Sequence, residues 1–202
     1  MLSLKNNKMI TLSSKNHEDH YFLTNKKCFF HRYIDTGFKT KWTGFWFPPT
    51  KFMEYYAYEV YFNQKSKWLS PETNIRTEFN TFLANHFFDL RDLSIKECIF
   101  LPSKNALISI LNLKNTSNNI LDVTVKLETA VNIREKHENW HDRKYESYLN
   151  SNEGCIIVRQ RNTSNFLVFG TNKDKFHFNF EYKSLFKDHY PGNELSLIHI
   201  SE

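Results

Sequence analysis

At residues 93–101 the chain reads Leu-Ser-Ile-Lys-Glu-Cys-Ile-Phe-Leu, so that apolar and polar side chains alternate. A period of two is typical of a β-strand with one buried face. The stretch ends at Pro102, and after a short Ser-Lys-Asn turn a second alternating segment covers residues 106–113. We therefore predict a β-hairpin over these residues.

Further segments with strand character follow along the chain. After the polar cluster at residues 115–119, alternation resumes over residues 120–133, which predicts a third antiparallel strand. Short strands are also predicted at residues 155–159, 166–170 and 176–182, separated by turns rich in Asn, Ser, Gly and Lys. Strands at this spacing, without intervening amphipathic helices, indicate an antiparallel β-sandwich.

Two segments carry weaker helical signals. Residues 70–85 begin with a capping residue and show weak helical periodicity, and residues 135–149 carry the stronger helical pattern. The predicted fold class is therefore mainly β, an antiparallel β-sandwich with one or two short helices.

The composition fits one globular domain. Of the 202 residues, 40% are hydrophobic and 16% aromatic, which supplies enough apolar area for one full core. No repeat and no Gly, Ser or Pro linker divides the sequence, so we assign residues 1–20 to an N-terminal extension and residues 21–194 to the β-sandwich.

Residues 195–202 read Leu-Ser-Leu-Ile-His-Ile-Ser-Glu, which resembles translated sequencing-adapter read-through. We expect this tail to be non-native.

Charge and cysteine content narrow the function classes. The net charge is +5, but lysines are spread among acidic residues from Lys5 to Lys187, which favours a solvated surface over a nucleic-acid-binding face. Cys28, Cys98 and Cys155 are widely spaced and odd in number, so neither a disulfide framework nor a metal knuckle is indicated. No secretory leader or membrane-length apolar segment is evident. We expect a cytoplasmic protein without a nucleic-acid or membrane partner.

Aromatic side chains crowd residues 42–58, which read Trp-Thr-Gly-Phe-Trp-Phe-Pro-Pro-Thr-Lys-Phe-Met-Glu-Tyr-Tyr-Ala-Tyr. Pro48 and Pro49 fix φ and remove two backbone donors, so Trp46 and Phe47 are not expected within a helix. The rings are predicted to lie on a stiff loop. Rigid aromatic faces beside polar groups suit sugars or bases, and they also suit an ordinary hydrophobic core, so this stretch leaves both interpretations open.

Residues 137–141 read His-Glu-Asn-Trp-His, the spelling of the zinc metalloprotease helix. A zinc hydrolase would use His137, Glu138 and His141 there. The flanking residues are almost wholly charged, however, and no apolar stripe supports the helix. A salt-bridged segment anchored by Trp140, or one edge of a ligand groove, are the other interpretations. We predict no metal and no cofactor.

The sequence singles out no catalytic residue. Several acidic pairs occur, but none is favoured as the carboxylate pair that glycoside hydrolysis needs. The sequence contains no Gly-rich phosphate loop and no Gly-x-Ser-x-Gly nucleophile elbow. Cys98 and Cys155 lie beside isoleucines in apolar strand contexts and are interpreted as core residues.

The dense motifs of this chain resemble those of a known family. They are Tyr-Phe-Leu-Thr-Asn at 21–25, the aromatic stretch at 42–52, Trp-Leu-Ser-Pro at 68–71, Ala-Val-Asn-Ile-Arg-Glu at 130–135 and Glu-Asn-Trp-His-Asp-Arg at 138–143. The succession looks like the N-terminal domain of archaeal and bacterial-type glycogen debranching enzymes, the amylo-α-1,6-glucosidases. The resemblance extends from about Tyr21 to about Tyr182. The family's Gly-Gly after Leu-Thr-Asn is replaced here by Lys26-Lys27-Cys28.

The resemblance implies a supersandwich-like β-sandwich followed by an (α/α)6 toroid, whose carboxylate pair hydrolyses α-1,6 branch points of a glycogen-like α-glucan. The toroid is not in this sequence, so we expect a glycoside hydrolase fragment that is inactive alone and whose partners are α-glucan and the catalytic domain. The alternatives are a free-standing glucan-binding module and, less favoured, the zinc hydrolase. The residues expected to contact glucan are Trp42, Trp46, Phe47, Arg134, Glu138, Trp140, His141 and Arg143.

Overall fold

The computed structural model describes residues 8–13, 18–70, 72–102, 104–135, 145–172, 177–181 and 196–201. These residues form β-strands and turns, and none of them is helical. The prediction of a mainly-β sandwich is therefore confirmed.

The strands of the described residues are numbered in chain order. They are β1 (Ile10–Ser13), β2 (His20–Thr24), β3 (Phe29–Tyr33), β4 (Gly44–Phe47), β5 (Thr50–Phe62), β6 (Lys65–Trp68), β7 (Asn74–Phe79), β8 (Leu83–Asp89), β9 (Leu93–Phe100), β10 (Ile108–Asn115), β11 (Val123–Glu135), β12 (Tyr145–Asn150), β13 (Cys155–Gln160), β14 (Phe166–Gly170), β15 (His177–Glu181) and β16 (Ser196–Ser201).

The strands form three antiparallel sheets. The large sheet has the order β15-β16-β11-β5-β4-β3-β2, with β6 paired to β5 off this path. The five-stranded sheet has the order β1-β7-β8-β9-β10, and the three-stranded sheet has the order β12-β13-β14. The longest ladder joins β5 to β11, each thirteen residues long, at the centre of the large sheet.

Apolar side chains pack both smaller sheets against the large sheet. Phe30 of β3 clusters with Ile99 of β9, and Val131 of β11 clusters with Ile156 of β13. Leu127 of β11 packs against both clusters. The five-stranded and three-stranded sheets therefore lie side by side on the large sheet, which forms the second layer of the sandwich.

The hairpin predicted over residues 93–101 and 106–113 is confirmed. β9 and β10 pair from Ile108 opposite Phe100 to Asn115 opposite Leu93. The third predicted strand is confirmed as β11, which pairs antiparallel with β5 and not with the hairpin. The thirteen residues of β11 match β5 in length, whereas β10 has only eight. The longer ladder offers more cross-strand pairs.

The helix predicted over residues 70–85 is wrong, because the segment contains β7 and the start of β8. Cross-strand pairing of β7 with β8 overrides the weak helical periodicity there. The helix predicted over residues 135–149 is contradicted at both ends. Glu135 ends β11, and residues 145–149 belong to β12, while residues 136–144 lie outside the described residues.

The later predicted strands form, but they do not all share one sheet. β13 and β14 pair with each other. β15, which lies within the predicted strand 176–182, pairs instead with β16, and β16 pairs with β11. The assignment of residues 195–202 as non-native stays a prediction. At the other end of the chain, β1 falls within the range assigned to an extension and joins the five-stranded sheet through β7.

A buried polar network joins the large sheet to the five-stranded sheet. Arg32 Nη1 donates to Glu97 Oε2 at 3.0 Å and to the Tyr56 hydroxyl at 3.1 Å. Glu97 Oε1 accepts hydrogen bonds from the hydroxyls of Tyr56, at 2.6 Å, and Ser109, at 2.9 Å. The side chains of Arg32 and Glu97 are 2% and 0% exposed. We call Arg32, Tyr56, Glu97 and Ser109 the core network.

His86 forms a second buried link between the same two sheets. Its Nε2 lies 2.8 Å from the Tyr21 hydroxyl oxygen, and its Nδ1 lies 2.9 Å from Thr77 Oγ1. Thr77 in turn donates to the carbonyl oxygen of Ile34 at 2.6 Å. Burial, reinforced by the nearby Arg32 guanidinium, holds the pKa of His86 well below its ordinary value. The imidazole therefore stays neutral in the folded protein at neutral pH.

Removing Arg32, the cation of the core network, should destabilise the fold. In Arg32→Leu, Glu97 stays buried without a counter-charge, so we expect the free energy of unfolding to fall by about 3–5 kcal/mol. Urea unfolding followed by circular dichroism measures this loss. The double variant Arg32→Leu/Glu97→Leu removes both charges and is expected to recover a large part of it. A single variant within about 1 kcal/mol of the parent would contradict the role assigned to the ion pair.

The buried histidines predict loss of stability in acid. Burial lowers the pKa of His31 to about 4, and the pKa of His86 is also depressed. Below about pH 6.5 these histidines become protonated in the unfolded chain but stay neutral in the folded protein. The free energy of unfolding therefore falls as the pH drops. His86→Gln should reduce that slope by about one proton, measured by urea unfolding between about pH 7 and pH 5. Tyr21→Phe keeps the imidazole and should keep the slope. An unchanged slope in His86→Gln overturns this account.

Candidate functional site

The hairpin of β4 and β5 positions the aromatic stretch. Pro48 and Pro49 form its two-residue turn, between the paired residues Phe47 and Thr50. Trp46 and Phe47 lie in β4, which confirms that they are not helical and corrects the expectation that they lie on a loop. Because successive side chains of a strand point to opposite faces, Phe47 faces the smaller sheets and Trp46 faces the other side of the large sheet.

A β-bulge in β5 brings two charged side chains together behind this hairpin. Glu54 is skipped in the pairing of β5 with β11, and Phe52 is skipped in the pairing of β5 with both β11 and β4, so the strand is bulged between Lys51 and Tyr55. Lys51 and Glu54, three residues apart, can therefore share one face of the sheet. Gly44 of β4 approaches the bulge with φ at +105°, and a Cβ atom there would lie 2.1 Å from the Met53 carbonyl oxygen. Only glycine fits this position.

Three stacked rings form what we call the aromatic column: Phe29, Trp46 and Trp42. The ring centroids of Phe29 and Trp46 are 5.7 Å apart with an interplanar angle of 10°, and those of Trp46 and Trp42 are 5.9 Å apart with an angle of 25°. Trp46 Nε1 also donates to the Trp42 carbonyl oxygen at 3.0 Å. Trp46 is 2% exposed and Trp42 is 48% exposed. The column therefore ends in a half-exposed indole supported by a buried one.

Two buried cations hold the backbone just before the exposed indole. Lys51 Nζ and Arg134 Nη2 donate to the Lys41 carbonyl oxygen at 3.0 and 3.1 Å. Glu54 forms ion pairs with both cations, through Oε2 to Lys51 and through Oε1 to Arg134. Asn132 Nδ2 donates to the same Oε1 at 2.9 Å. We call Lys51, Glu54, Asn132 and Arg134 the cation clamp.

The cation clamp contains two buried cations that share one carboxylate, Glu54. Burial lowers the pKa of Lys51 to about 8, although Glu54 opposes the shift. The ammonium is therefore still mainly protonated at neutral pH. Lys51 Nζ and Arg134 Cζ lie 5.6 and 5.7 Å from the Trp46 ring centroid. Cation–π attraction to this ring offsets part of the cost of burying the two cations.

The structure brings together only some of the predicted substrate-binding residues. Trp42, Trp46 and Arg134 meet in the aromatic column and the cation clamp. Phe47 lies on the opposite face of the large sheet, where it lines a cavity. The others lie outside the described residues, as does His137 of the zinc motif: Glu138, Trp140, His141 and Arg143.

Sequence reasoning missed three members of the cation clamp, Lys51, Glu54 and Asn132. Each is a polar residue within an otherwise apolar strand, since Lys51 and Glu54 flank Phe-Met and Asn132 separates Val from Ile. Lys and Glu are rarely fully buried unless they are paired. That rarity is the signal that could have identified them. The bulge that joins Lys51 to Glu54 leaves no such mark in the sequence.

A cavity of about 660 Å³, which we call the inter-sheet cavity, lies on the other face of the same hairpin. None of the residues that line it carries a formal charge. Tyr56 and Ser109 of the core network line it together with Tyr58 and Phe47. Burial, reinforced by Glu97, raises the pKa of both tyrosines, so their phenols stay protonated. The cavity is thus neutral and largely aromatic.

The described part of the chain gives little support for a metal site or for a cysteine nucleophile. No group of three or more His, Cys, Asp or Glu side chains there could hold a metal ion. Cys28, Cys98 and Cys155 are free thiols, and burial raises the pKa of Cys28 and Cys98, which disfavours a nucleophilic thiolate. A search of the same residues finds no helix long and apolar enough to cross a membrane.

No protein-family model matches this chain, and no curated protein matches it either. The candidate site is therefore defined by its own geometry. On one face of the large sheet a half-exposed indole is supported by a buried ring and by buried ion pairs, and on the other face lies a cavity whose lining residues are uncharged.

The close approach of Gly44 to β5 predicts that a larger residue at position 44 destabilises the hairpin and disturbs the site. Gly44→Ala forces a Cβ atom against the Met53 carbonyl oxygen at a positive φ, so we expect it to lower the free energy of unfolding by at least about 3 kcal/mol. The coupled near-ultraviolet dichroism of Trp42 and Trp46 should be lost as well. Gly170→Ala is the matched control, because a Cβ atom there meets nothing closer than 3.7 Å. Equal stability of the two variants would contradict this role of Gly44.

Proposed function

We propose that this chain is the substrate-side β-sandwich of a glycogen-debranching α-1,6-glucosidase and that it binds α-glucan through Trp42. The observation that carries the proposal is the half-exposed Trp42 indole, stacked on the buried Trp46. The family resemblance of the sequence motifs supplies the substrate class. In this proposal the catalytic carboxylates belong to a separate toroidal domain, and the fragment is not itself catalytic.

Sugar stacking explains why the support of Trp42 is rigid. The C–H faces of glucose pack on a flat aromatic ring, and such contacts gain most when the ring is already immobilised. Trp42 is held by ring stacking on Trp46, and its preceding carbonyl is held by Lys51 and Arg134. A ring fixed in this way loses little conformational freedom when a ligand binds.

Charged groups around the indole suit a hydroxylated ligand. Lys41 Nζ lies 5.0 Å from the Trp42 ring centroid, and the Lys41 side chain is exposed. This ammonium lies over the ring, so in the proposal the exposed Lys41 side chain turns aside when a sugar stacks and then donates to the sugar hydroxyls. In this proposal the buried cation clamp lies against Trp46, beneath the Trp42 ring, and does not contact the ligand. The proposed role of the clamp is positioning, and the proposed contacts are made by Trp42 and Lys41.

A free-standing glucan-binding module would use the same platform. The two possibilities differ in the gene, because a debranching enzyme requires an uninterrupted reading frame that continues into helical repeats. Sequencing the source DNA beyond the codon for Glu194 tests this part of the proposal. A native stop codon directly after the sandwich would favour the free-standing module.

We call the Trp42 ring, stacked on Trp46, the glucan platform. Removing the Trp42 indole should weaken glucan binding. Trp42→Ala should weaken retention of the chain in a glycogen-containing gel about tenfold, the loss expected when one stacked ring is removed. Trp42 is the informative position, because truncating the buried Trp46 would also disturb the fold. Affinity electrophoresis with and without glycogen measures the change.

The matched control is Phe82→Ala, which removes another exposed aromatic ring, 49% exposed, in the turn between β7 and β8. It should leave glycogen retention unchanged. Failure of the parent chain to be retarded by glycogen, or equal retention of Trp42→Ala and parent, would contradict the glucan platform.

A further inference from the structure

The inter-sheet cavity lies where the two smaller sheets end. One wall consists of residues 164–170, which include all of β14, and the facing wall consists of residues 105–107 with Ser109 at the start of β10. Within the described residues, β14 is the outermost strand of the three-stranded sheet and β10 that of the five-stranded sheet. Two sheet edges therefore border one opening.

The outer edge of β14 is suited to pairing with a further strand. In an antiparallel edge strand, every second residue turns its N–H and C=O away from the sheet. β14 reads Phe-Leu-Val-Phe-Gly, without the lysine, proline or other charge that usually protects an edge. Phe166 and Val168 are 56% and 45% exposed. This edge is open to pairing by both its backbone and its side chains.

The floor and the size of the cavity fit one more strand. Phe47, Phe52 and Leu127 of the large sheet line the floor, and no lining residue is charged. A strand residue packed in a two-layer sandwich fills about 160 Å³, from a rise of about 3.3 Å, a strand spacing of about 4.8 Å and a layer spacing of about 10 Å. The cavity of about 660 Å³ therefore holds about four such residues. β14 itself has five.

We propose that the inter-sheet cavity is a β-strand acceptor, which takes one extended peptide segment from a partner and pairs it with the free edge of β14. Its inward side chains are apolar, because they rest on the aromatic floor beside Leu167 and Phe169. Its outward side chains, next to Phe166 and Val168, are β-branched or aromatic. Backbone hydrogen bonds supply affinity, and the floor selects the inward side chains.

Two other occupants fit the geometry less well. The folded edge of a second copy brings further strands with it, whereas the cavity of about 660 Å³ holds only about four strand residues. A small apolar molecule could fill the volume but could not satisfy the outward N–H and C=O groups of β14. The acceptor is independent of the glucan platform, since Trp42 lies on the other face of the large sheet.

A peptide copied from β13 is a suitable probe, because β13 already pairs with β14 and its Ile156 and Val158 pack with Leu167. The probe is the capped hexapeptide of residues 155–160 with Cys155→Ser. Amide hydrogen exchange of the full chain, followed by NMR at residues 166–170, reports on the edge. At about ten times its Kd, the peptide should slow exchange of the outward-pointing β14 amides about tenfold.

Two controls separate strand pairing from simple filling of the cavity. The same peptide N-methylated at alternate residues keeps its side chains but cannot pair, and it should give no protection. Phe47→Asp places a carboxylate on the floor and should abolish binding, with circular dichroism confirming that the variant is folded. Trp42→Ala, on the opposite face, should bind the peptide like the parent chain and should fail only in the glycogen gel.

Three results would overturn the proposal. The first is fast exchange of the outward β14 amides at millimolar peptide. The second is equal protection by the N-methylated peptide, which would identify the cavity as a site for small apolar ligands. The third is full protection of these amides before any peptide is added, which would mean that the chain already covers its own edge.

Discussion

The antiparallel pairing of β5 with β11 is the constraint on which the rest of the structure depends. Each strand is thirteen residues long, and together they form the centre of the large sheet. One face of this pair carries Tyr56, Tyr58 and Leu127, which line the inter-sheet cavity. The other face carries Lys51, Glu54 and Arg134, which support the exposed indole. A one-residue slip in register would exchange these two faces, placing charges in the core.

Buried charge is handled differently on the two faces, and the difference follows from what each face contacts. On the inner face, the core network pairs one guanidinium with one carboxylate and surrounds them with two hydroxyl donors, so the charge is balanced. Such a pair does little for net stability but requires the two sheets to align correctly. On the outer face, Glu54 pairs with both Lys51 and Arg134, and the Trp46 ring lies close to both cations.

Sequence alone predicted the strands better than their partners. Alternation located β9, β10, β13 and β14 because the alternation of side chains along a strand is a local property, and in β9 it matches one buried face. The partner of residues 120–133 depended on a match in length with β5, which no local pattern encodes. Weak periodicity over residues 70–85 was overridden by the pairing of β7 with β8, which depends on the partner strand and not on the local pattern. Local sequence also did not indicate on which face of the sheet Phe47 lies, because that face depends on the position of the Pro-Pro turn.

The candidate site was only partly predictable for a related reason. Trp42, Trp46 and Arg134 stood out because aromatic and basic residues are conspicuous in a strand-rich sequence, and their stacking in the folded chain joins segments about ninety residues apart. The cation clamp depends on a bulge at Glu54, and a bulge is a property of pairing, which local sequence does not specify. Its glycine, Gly44, was visible in the sequence, but its need for a positive φ became evident only from the approach of the Met53 carbonyl.

The same hairpin serves two surfaces of opposite chemistry, and its rigidity keeps them separate. Gly44 allows β4 to lie directly against the bulge of β5, so the hairpin has little freedom to tilt. Filling the inter-sheet cavity against Phe47 therefore need not move Trp46, one residue away on the opposite face. The inner surface is uncharged and bordered by open strand edges, which suits an apolar extended peptide. The outer surface presents a fixed indole beside an exposed ammonium, which suits a neutral ligand rich in hydroxyl groups.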